Sequence, residues 1–254
     1  MRILALVKRV PATGGRINLA ADGRSIDTAY LGFVVSPHEE CAVEEAVRLA
    51  EAHGGETVVM TLGPAESADH LRDAMAIGVD RAVHLETDGS DWDPVATAAA
   101  LVDAVRALEA DGGPFDLILV GNESADSGGY KVGIRLAVAL DRPVVNGAKA
   151  LEVVDGIARV RRQMSGGWEV YELPLPAVVG VREGINLPRY PSVPGRLRAR
   201  KKELERVVPE QRPGGPELIR MTLPVEQAQQ VEILGRGPEA APRVVAILRE
   251  IGAL

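Results

Sequence analysis

The first 145 residues repeat one unit: a short apolar run, a polar or glycine-bearing loop, then a stretch with apolar residues at helical spacing. Ile3 to Val7, Thr57 to Leu62, Arg81 to Leu85, Leu117 to Val120 and Pro143 to Val145 are short continuous runs that read as strands buried on both faces. The stretches between them carry helix signals. Ser36 is an N-cap, Pro37 stands at the first helical position, and Glu39 and Glu40 face the positive end of the helix dipole. Val43, Ala46, Val47 and Ala50 then recur on one face until Gly54-Gly55 stops the helix. Gly63-Pro64 leads into a helix with Ala68, Leu71 and Met75 on one side and Gly78 at its end. Asp93 and Pro94 open a longer one, striped by Val95, Ala98, Leu101, Val102, Val105 and Leu108, and Tyr130 to Leu140 reads as a fourth. Such alternation predicts an α/β fold: a doubly wound, mostly parallel sheet with right-handed crossovers and helices on both faces.

Other segments follow a different grammar. Arg16 to Ala20 and Ser25 to Thr28 flank Asp22-Gly23 and read as a small hairpin. Beyond residue 148, Leu151 to Val154 and Ile157 to Arg162 flank Asp155-Gly156, and a third strand runs from Gly167 to Leu173, giving an added antiparallel hairpin over 151–173. Ala177 to Val181 returns to a buried run, so these strands extend the same sheet. From Pro188 the chain is rich in proline and arginine, with helices expected near Pro194 to Leu204 and over Val244 to Ile251. The organisation expected is one α/β domain over 1–205 and an extended C-terminal arm over 206–254, where prolines and glycines are too frequent for a buried element.

Composition removes several function classes. A formal charge of −7 argues against nucleic-acid binding by whole-molecule attraction. Cys41 is the one cysteine, which excludes an intrachain disulfide and a multi-cysteine metal site, and the four histidines lack ligand spacing. No apolar stretch approaches the roughly 20 residues of a membrane span. The opening MRILALVKRV reads as a strand rather than a signal peptide, so a cytoplasmic location is expected. Ligands of an open parallel sheet sit beyond the carboxyl ends of its strands, which nominates the loops after Val7, Val35, Leu62 and Val120. Ser36-Pro37-His38-Glu39 offers free backbone N–H groups, Gly63 permits close approach, and Asp126-Ser127-Gly128-Gly129 opens another helix. The dinucleotide and P-loop glycine signatures are absent. Ser127-Gly128-Gly129 resembles the opening of ATP pyrophosphatases but continues Tyr130-Lys131-Val132 instead of their Asp-Ser pair, so ATP cleavage is not expected. Cys41 reads as a packed thiol, Glu44 and Glu45 as the solvated face of their helix, and nothing forms an acid/base or nucleophilic set. Arg196, Arg198, Arg200, Lys201 and Lys202 follow Pro191-Ser192-Val193-Pro194; they are either a solvated helix face or a steered docking surface with Val193 as apolar anchor.

Several blocks carry a family resemblance. Val7-Lys8-Arg9-Val10-Pro11, Ser36-Pro37 leading into Ala42-Val43-Glu44-Glu45-Ala46-Val47-Arg48-Leu49, Gly63-Pro64-Ala65, Ala76 to Ala82, Asn186-Leu187-Pro188-Arg189-Tyr190 and Ala199-Arg200-Lys201-Lys202 come in the order and spacing of electron-transfer flavoprotein β subunits. The chain resembles that family over residues 1 to 205, which implies that the doubly wound sheet is of the adenine-nucleotide-binding type. The resemblance implies a non-enzymatic carrier subunit in a heterodimer with a larger α subunit that holds most of the redox FAD. It would pass electrons from flavoprotein dehydrogenases, such as those acting on acyl-CoA, to a quinone reductase. It also implies an AMP, or in bifurcating relatives a second FAD, at Leu6, Ser36, Pro37, His38, Glu39, Leu62, Gly63, Asp126, Ser127, Gly128, Gly129, Tyr130, Lys131 and Val132. Thr13 and His38 would approach the partner's flavin, the segment 191–198 would recognise client dehydrogenases through Val193, Arg196 and Arg198, and the arm would contact the α subunit. Two positions depart from the family pattern: Ser127 to Val132 replaces its acidic run and Asn-Gln-Thr, and Gln163 stands where a glutamate is common. The competing reading is a stand-alone adenine-nucleotide sensor of the universal-stress type.

Overall fold

The computed structural model describes residues 1–12, 14, 17–212, 214–224 and 232–254. In chain order the elements are β1 (Arg2–Val7), β2 (Arg9–Pro11), β3 (Phe33–Val35), α1 (Pro37–His53), β4 (Glu56–Gly63), α2 (Ala68–Ala76), β5 (Arg81–Glu86), α3 (Pro94–Gly112), β6 (Leu117–Gly121), α4 (Val132–Ala139), β7 (Val144–Val154), β8 (Ile157–Met164), β9 (Gly167–Pro174), β10 (Ala177–Val181), α5 (Val193–Lys201), β11 (Glu205–Val207) and α6 (Ala241–Glu250). Nine strands form one sheet in the order β11-β5-β4-β1-β6-β10-β7-β8-β9. All its pairings are parallel except β7 with β8 and β8 with β9. This is the expected doubly wound class with its antiparallel addition.

Strand alternation feeds two cores. Ile3, Ala5 and Val7 of β1 point to the layer with α1 and α2, whereas Leu4 and Leu6 point to the layer with Leu101, Val105 and Leu108 of α3 and Leu136 of α4. The helices start where their signals stand. Asp93 caps α3 by accepting from the Val95 and Ala96 amides at 2.7 and 3.2 Å. Crossovers from β1 lead to β4 on one side, while β6 returns to the other, so strand order reverses between β1 and β6. A doubly wound sheet opens a crevice at that point, beyond the strands' carboxyl ends.

Some expectations fail locally. The Asp22-Gly23 turn forms, braced by the Asp22 carboxylate on the Arg24 and Ser25 amides, but its flanks make only the bridge Leu19↔Ile26 instead of two strands; Arg16 lies outside the described residues. Tyr130 adopts φ 49°, which delays α4 to Val132. The short strand at Pro143 to Val145 and the first strand of the hairpin are one element, β7, bent at Gly147 (φ 82°) with a register shift against β8 between Ala148 and Ala150. The two-stranded β2-β3 sheet and the edge strand β11 were not expected; three residues are too few to show a period of two. Beyond β11 the arm runs over the α3 side of the molecule. Arg212 pairs with Asp103 at 2.6 Å, a Cβ on Gly215 would fall 1.7 Å from the Asp93 carboxylate, and the Met221 amide donates to the Gly23 carbonyl at 2.8 Å.

Candidate functional site

At the reversal between β1 and β6, the loops after both strands meet the start of α1. Lys8, one residue past β1, pairs with Asp126 in the loop after β6 at 2.6 Å. Burial works against ionisation of Asp126, but Lys8, Ser124 and the Ser127 amide outweigh it and hold the carboxyl below the usual range. Glu39, in the first turn of α1, is buried against Gly121 at the end of β6, where an added Cβ would fall 2.5 Å from its Cγ. Its carboxylate accepts from the Ser36 amide at 3.3 Å, half of a capping box. The reciprocal half is looser: the Glu39 amide bonds the Ser36 carbonyl at 3.0 Å, and the fully buried Ser36 Oγ has no well-formed partner. Desolvation pushes the Glu39 carboxyl up to about 8, against the pull of the Lys8 and Ser36 amides, the Ser36 hydroxyl and the Lys8 charge. His38 bridges onward: its Nδ1 accepts from the Glu183 amide at 2.7 Å, and its Nε2 lies 3.5 Å from Glu123.

The neighbouring strand end is equally close-packed. The Gly63 carbonyl accepts from the Thr87 amide at 2.9 Å and faces His84 Nε2 at 3.1 Å, while a Cβ on Gly63 would fall 2.6 Å from Ser67 Oγ. Ser67 Oγ is a second buried hydroxyl without a partner. Ser36, Pro37, His38, Glu39, Asp126, Ser127, Gly128, Gly129, Tyr130, Lys131 and Val132 thus lie on loops or helix starts at one end of the sheet, with Leu6 and Leu62 on the strands that lead there. Tyr130 and Lys131 are exposed, and the Glu123 carboxylate pushes the Tyr130 phenol up. Thr13 lies outside the described residues. Sequence reasoning left Lys8, Ser67, His84, Glu123 and Glu183 out of the site. Lys8 is the first residue after β1 and Glu123 the second after β6, the strands that flank the reversal, a signal that strand order alone would have supplied.

Val193, Arg196 and Arg198 belong to a different place. They sit on α5, which packs on α2, and Val193 is 73% exposed. Ser192 caps α5 by accepting from the Gly195 amide at 3.1 Å. Glu44 and Glu45, expected in solvent, are buried, because the Asn186–Arg189 segment covers their face of α1. No three His, Cys, Asp or Glu side chains among the described residues are placed to hold a metal ion. No helix among them is long and apolar enough to cross a membrane.

The donors at the crevice suit an adenine nucleotide. The partnerless Ser67 hydroxyl, the loosely capped Ser36 hydroxyl and the N-terminus of α1 can take its polar edges and phosphate, while Gly63 leaves the room that Ser67 Oγ fills. Fold and crevice therefore define a doubly wound α/β protein of the kind that receives a ligand at a switch point. The description "Electron transfer flavoprotein domain" matches residues 25–211. The chain is 33% identical to an electron transfer flavoprotein subunit beta of Bacillus subtilis (strain 168), covering 98% of both chains. It is 36% identical to the mitochondrial electron transfer flavoprotein subunit beta of Oryza sativa subsp. indica over 83% of each, and 33% identical to an electron transfer flavoprotein subunit beta of Syntrophomonas wolfei subsp. wolfei over 92% of this chain and 90% of the relative. The chain belongs to the electron-transfer flavoprotein family, as a subunit of the β type.

Proposed function

We propose that the chain is the small subunit of a heterodimeric electron carrier. With a larger α subunit bearing FAD it accepts electrons from flavoprotein dehydrogenases, such as those acting on acyl-CoA, and delivers them to a quinone reductase. Its own crevice holds an AMP. The flavin supplies the redox chemistry; this chain contributes binding, orientation and a docking surface. The observation that carries the nucleotide is the buried, partnerless Ser67 hydroxyl, together with the buried Ser36 hydroxyl that its capping box holds only loosely, at the carboxyl end of the sheet. Buried hydroxyls are rarely left unpaired unless a ligand or water completes them. Supporting the partner are the exposed Val244 and Val245 of α6 and Ile251 just past its end; the helix packs chiefly on the 3₁₀ turn Gly237–Ala240 before it. Supporting client docking is the exposed Val193 among the basic side chains of α5.

Co-expression with the family's α subunit tests the reading. The expected result is a ~1:1 yellow complex that releases AMP on denaturation, with ligand and partner raising thermal stability in proportion to their concentration. A colourless monomer that binds ATP by itself would overturn it in favour of a stand-alone nucleotide sensor. Release of a second FAD in place of AMP would place the chain among bifurcating carriers.

A further inference from the structure

The exposed apolar side chains of the 186–202 segment stand on a backbone that is tied down on both sides. Upstream, five residues of α1 hold it. Asn186 Nδ2 donates to the Cys41 carbonyl at 2.9 Å and to Glu45 at 2.8 Å. Arg48 Nη2 donates to the Leu187 carbonyl at 3.2 Å. Arg189 then spends its whole fork on two carboxylates: Nε and Nη2 reach Glu44 at 3.0 and 3.1 Å, Nη1 and Nη2 reach Glu51 at 2.7 and 3.0 Å, and its own amide donates to Glu44 at 3.0 Å. Glu44 is 1% exposed. Downstream, α5 is seated on the end of α2 so closely that a Cβ on Gly195 would fall 2.3 Å from the Ala76 carbonyl oxygen. Arg72 fastens the Ala199 carbonyl at 2.8 Å, and Lys202 Nζ reaches the Val79 and Asp80 carbonyls at 2.9 and 3.1 Å. Between these two fastenings, over a cleft of ≈390 Å³, Tyr190 and Val193 project into solvent, 96% and 73% exposed.

An apolar residue held in solvent on a fixed backbone is prepared for a partner, because docking then avoids the cost of ordering the loop that carries it. A planar guanidinium that bridges two carboxylates fixes both position and direction, which a lysine ammonium cannot do. We propose that Arg189, clamped by Glu44 and Glu51, is a positioning residue for client docking: it holds Tyr190 and Val193 in the arrangement that a flavoprotein dehydrogenase meets. This inference rests on the docking reading of 191–198 proposed above.

The test uses the heterodimer with its flavin and a dehydrogenase chosen because it reduces the wild-type complex. Arg189→Lys keeps the charge and removes the bridge. Its expected signature is an apparent KM for the dehydrogenase raised about fivefold at unchanged kcat, with faster amide hydrogen exchange confined to 187–193, the loss expected when an ordered loop must be re-ordered on binding. Flavin content and the rate of chemical reduction by dithionite should match wild type. Glu51→Gln, on the exposed side of the clamp, should shift KM and exchange in the same direction by less. Val193→Asp serves as the second arm. If Val193→Asp raises KM and Arg189→Lys changes neither KM nor exchange, the clamp inference is overturned while the docking reading stands. If Val193→Asp leaves KM at the wild-type value, the docking reading fails and the clamp inference with it.

Discussion

Glu39 and Glu44 stand five residues apart on α1, both buried, and the protein treats them oppositely. Glu39 faces the crevice beside backbone amides, and burial pushes its carboxyl up to about 8. Glu44 faces the 186–189 segment; burial pushes it up too, but hydrogen bonds from Arg189 and Arg48 win and hold it below the ordinary carboxylate range. The difference is the guanidinium. A buried carboxylate met by amide dipoles, a hydroxyl and an ammonium that makes no ion pair with it stays costly to ionise, whereas one met by a bidentate cation is stabilised as an anion. The crevice is therefore left with poorly met hydroxyls at Ser36 and Ser67 and a carboxyl at Glu39 that is costly to ionise, whereas the carboxylates of the docking segment's support are paired. One region is built to receive a polar ligand, the other to hold its own backbone still.

Breaking the satisfied side has the largest expected effect. Arg189→Ala strands the Glu44 carboxylate with Arg48 alone. Removing one partner of a buried pair costs about 3–5 kcal/mol; because the Arg189 side chain is 36% exposed, the lower end, about 3 kcal/mol, is expected in urea denaturation at pH 7. The loss should shrink below pH 4, where the stability contributed by a depressed carboxyl disappears as it protonates. A change under about 0.5 kcal/mol at pH 7, the range of an ordinary surface substitution, would mean the clamp is not a buried pair at all.

The opposite sign of pH dependence sharpens the other side. With a folded value of about 8 against an ordinary 4.5, the neutral form of Glu39 is favoured by folding. Its contribution is complete below about pH 4.5 and is lost as pH rises through 8, since the folded state holds the extra proton across that window. Glu39→Gln mimics the neutral form. The variant should match wild type near pH 5 and exceed it by about 2 kcal/mol near pH 9, a discounted fraction of the full shift that allows for relaxation and water entry. Stability curves that stay parallel from pH 5 to 9 would remove Glu39 from the group of strained crevice residues.

These opposed environments were only partly visible in the sequence. The start of α1 was legible because its signals are local: Ser36, Pro37, Glu39 and Glu40 stand within five residues. The sheet was legible because each strand is a continuous apolar run, and the crevice followed from strand ends. The burial of Glu44 and Glu45 was not, since the cover comes from Asn186 and Arg189, more than 140 residues away. Helical periodicity marks which face a helix turns from the sheet, and it carries no information about a distant segment that later covers that face. The role of Lys8 was hidden for the same reason: its partner Asp126 lies across the reversal, and strand order is a property of the assembled sheet. Gly147 hid the continuity of β7, because a bent strand with a glycine in it reads as two.

The smallest effects separate the two regions most cleanly, because each contains a serine at a helix start. Ser192 accepts from the Gly195 amide at 3.1 Å and completes its cap, so Ser192→Ala should cost about 1 kcal/mol. Ser36 stands at the same position of α1, fully buried, with its hydroxyl lacking a well-formed partner. Deleting a hydroxyl that folding has desolvated without return removes a penalty along with any weak capping contact, so Ser36→Ala should change stability by less than about 0.5 kcal/mol. Its cost should fall instead on the nucleotide, seen as a lower AMP content of the purified heterodimer. If Ser36→Ala costs as much stability as Ser192→Ala and leaves nucleotide content unchanged, the hydroxyl is an ordinary cap and Ser67 remains as the crevice's one unmet hydroxyl.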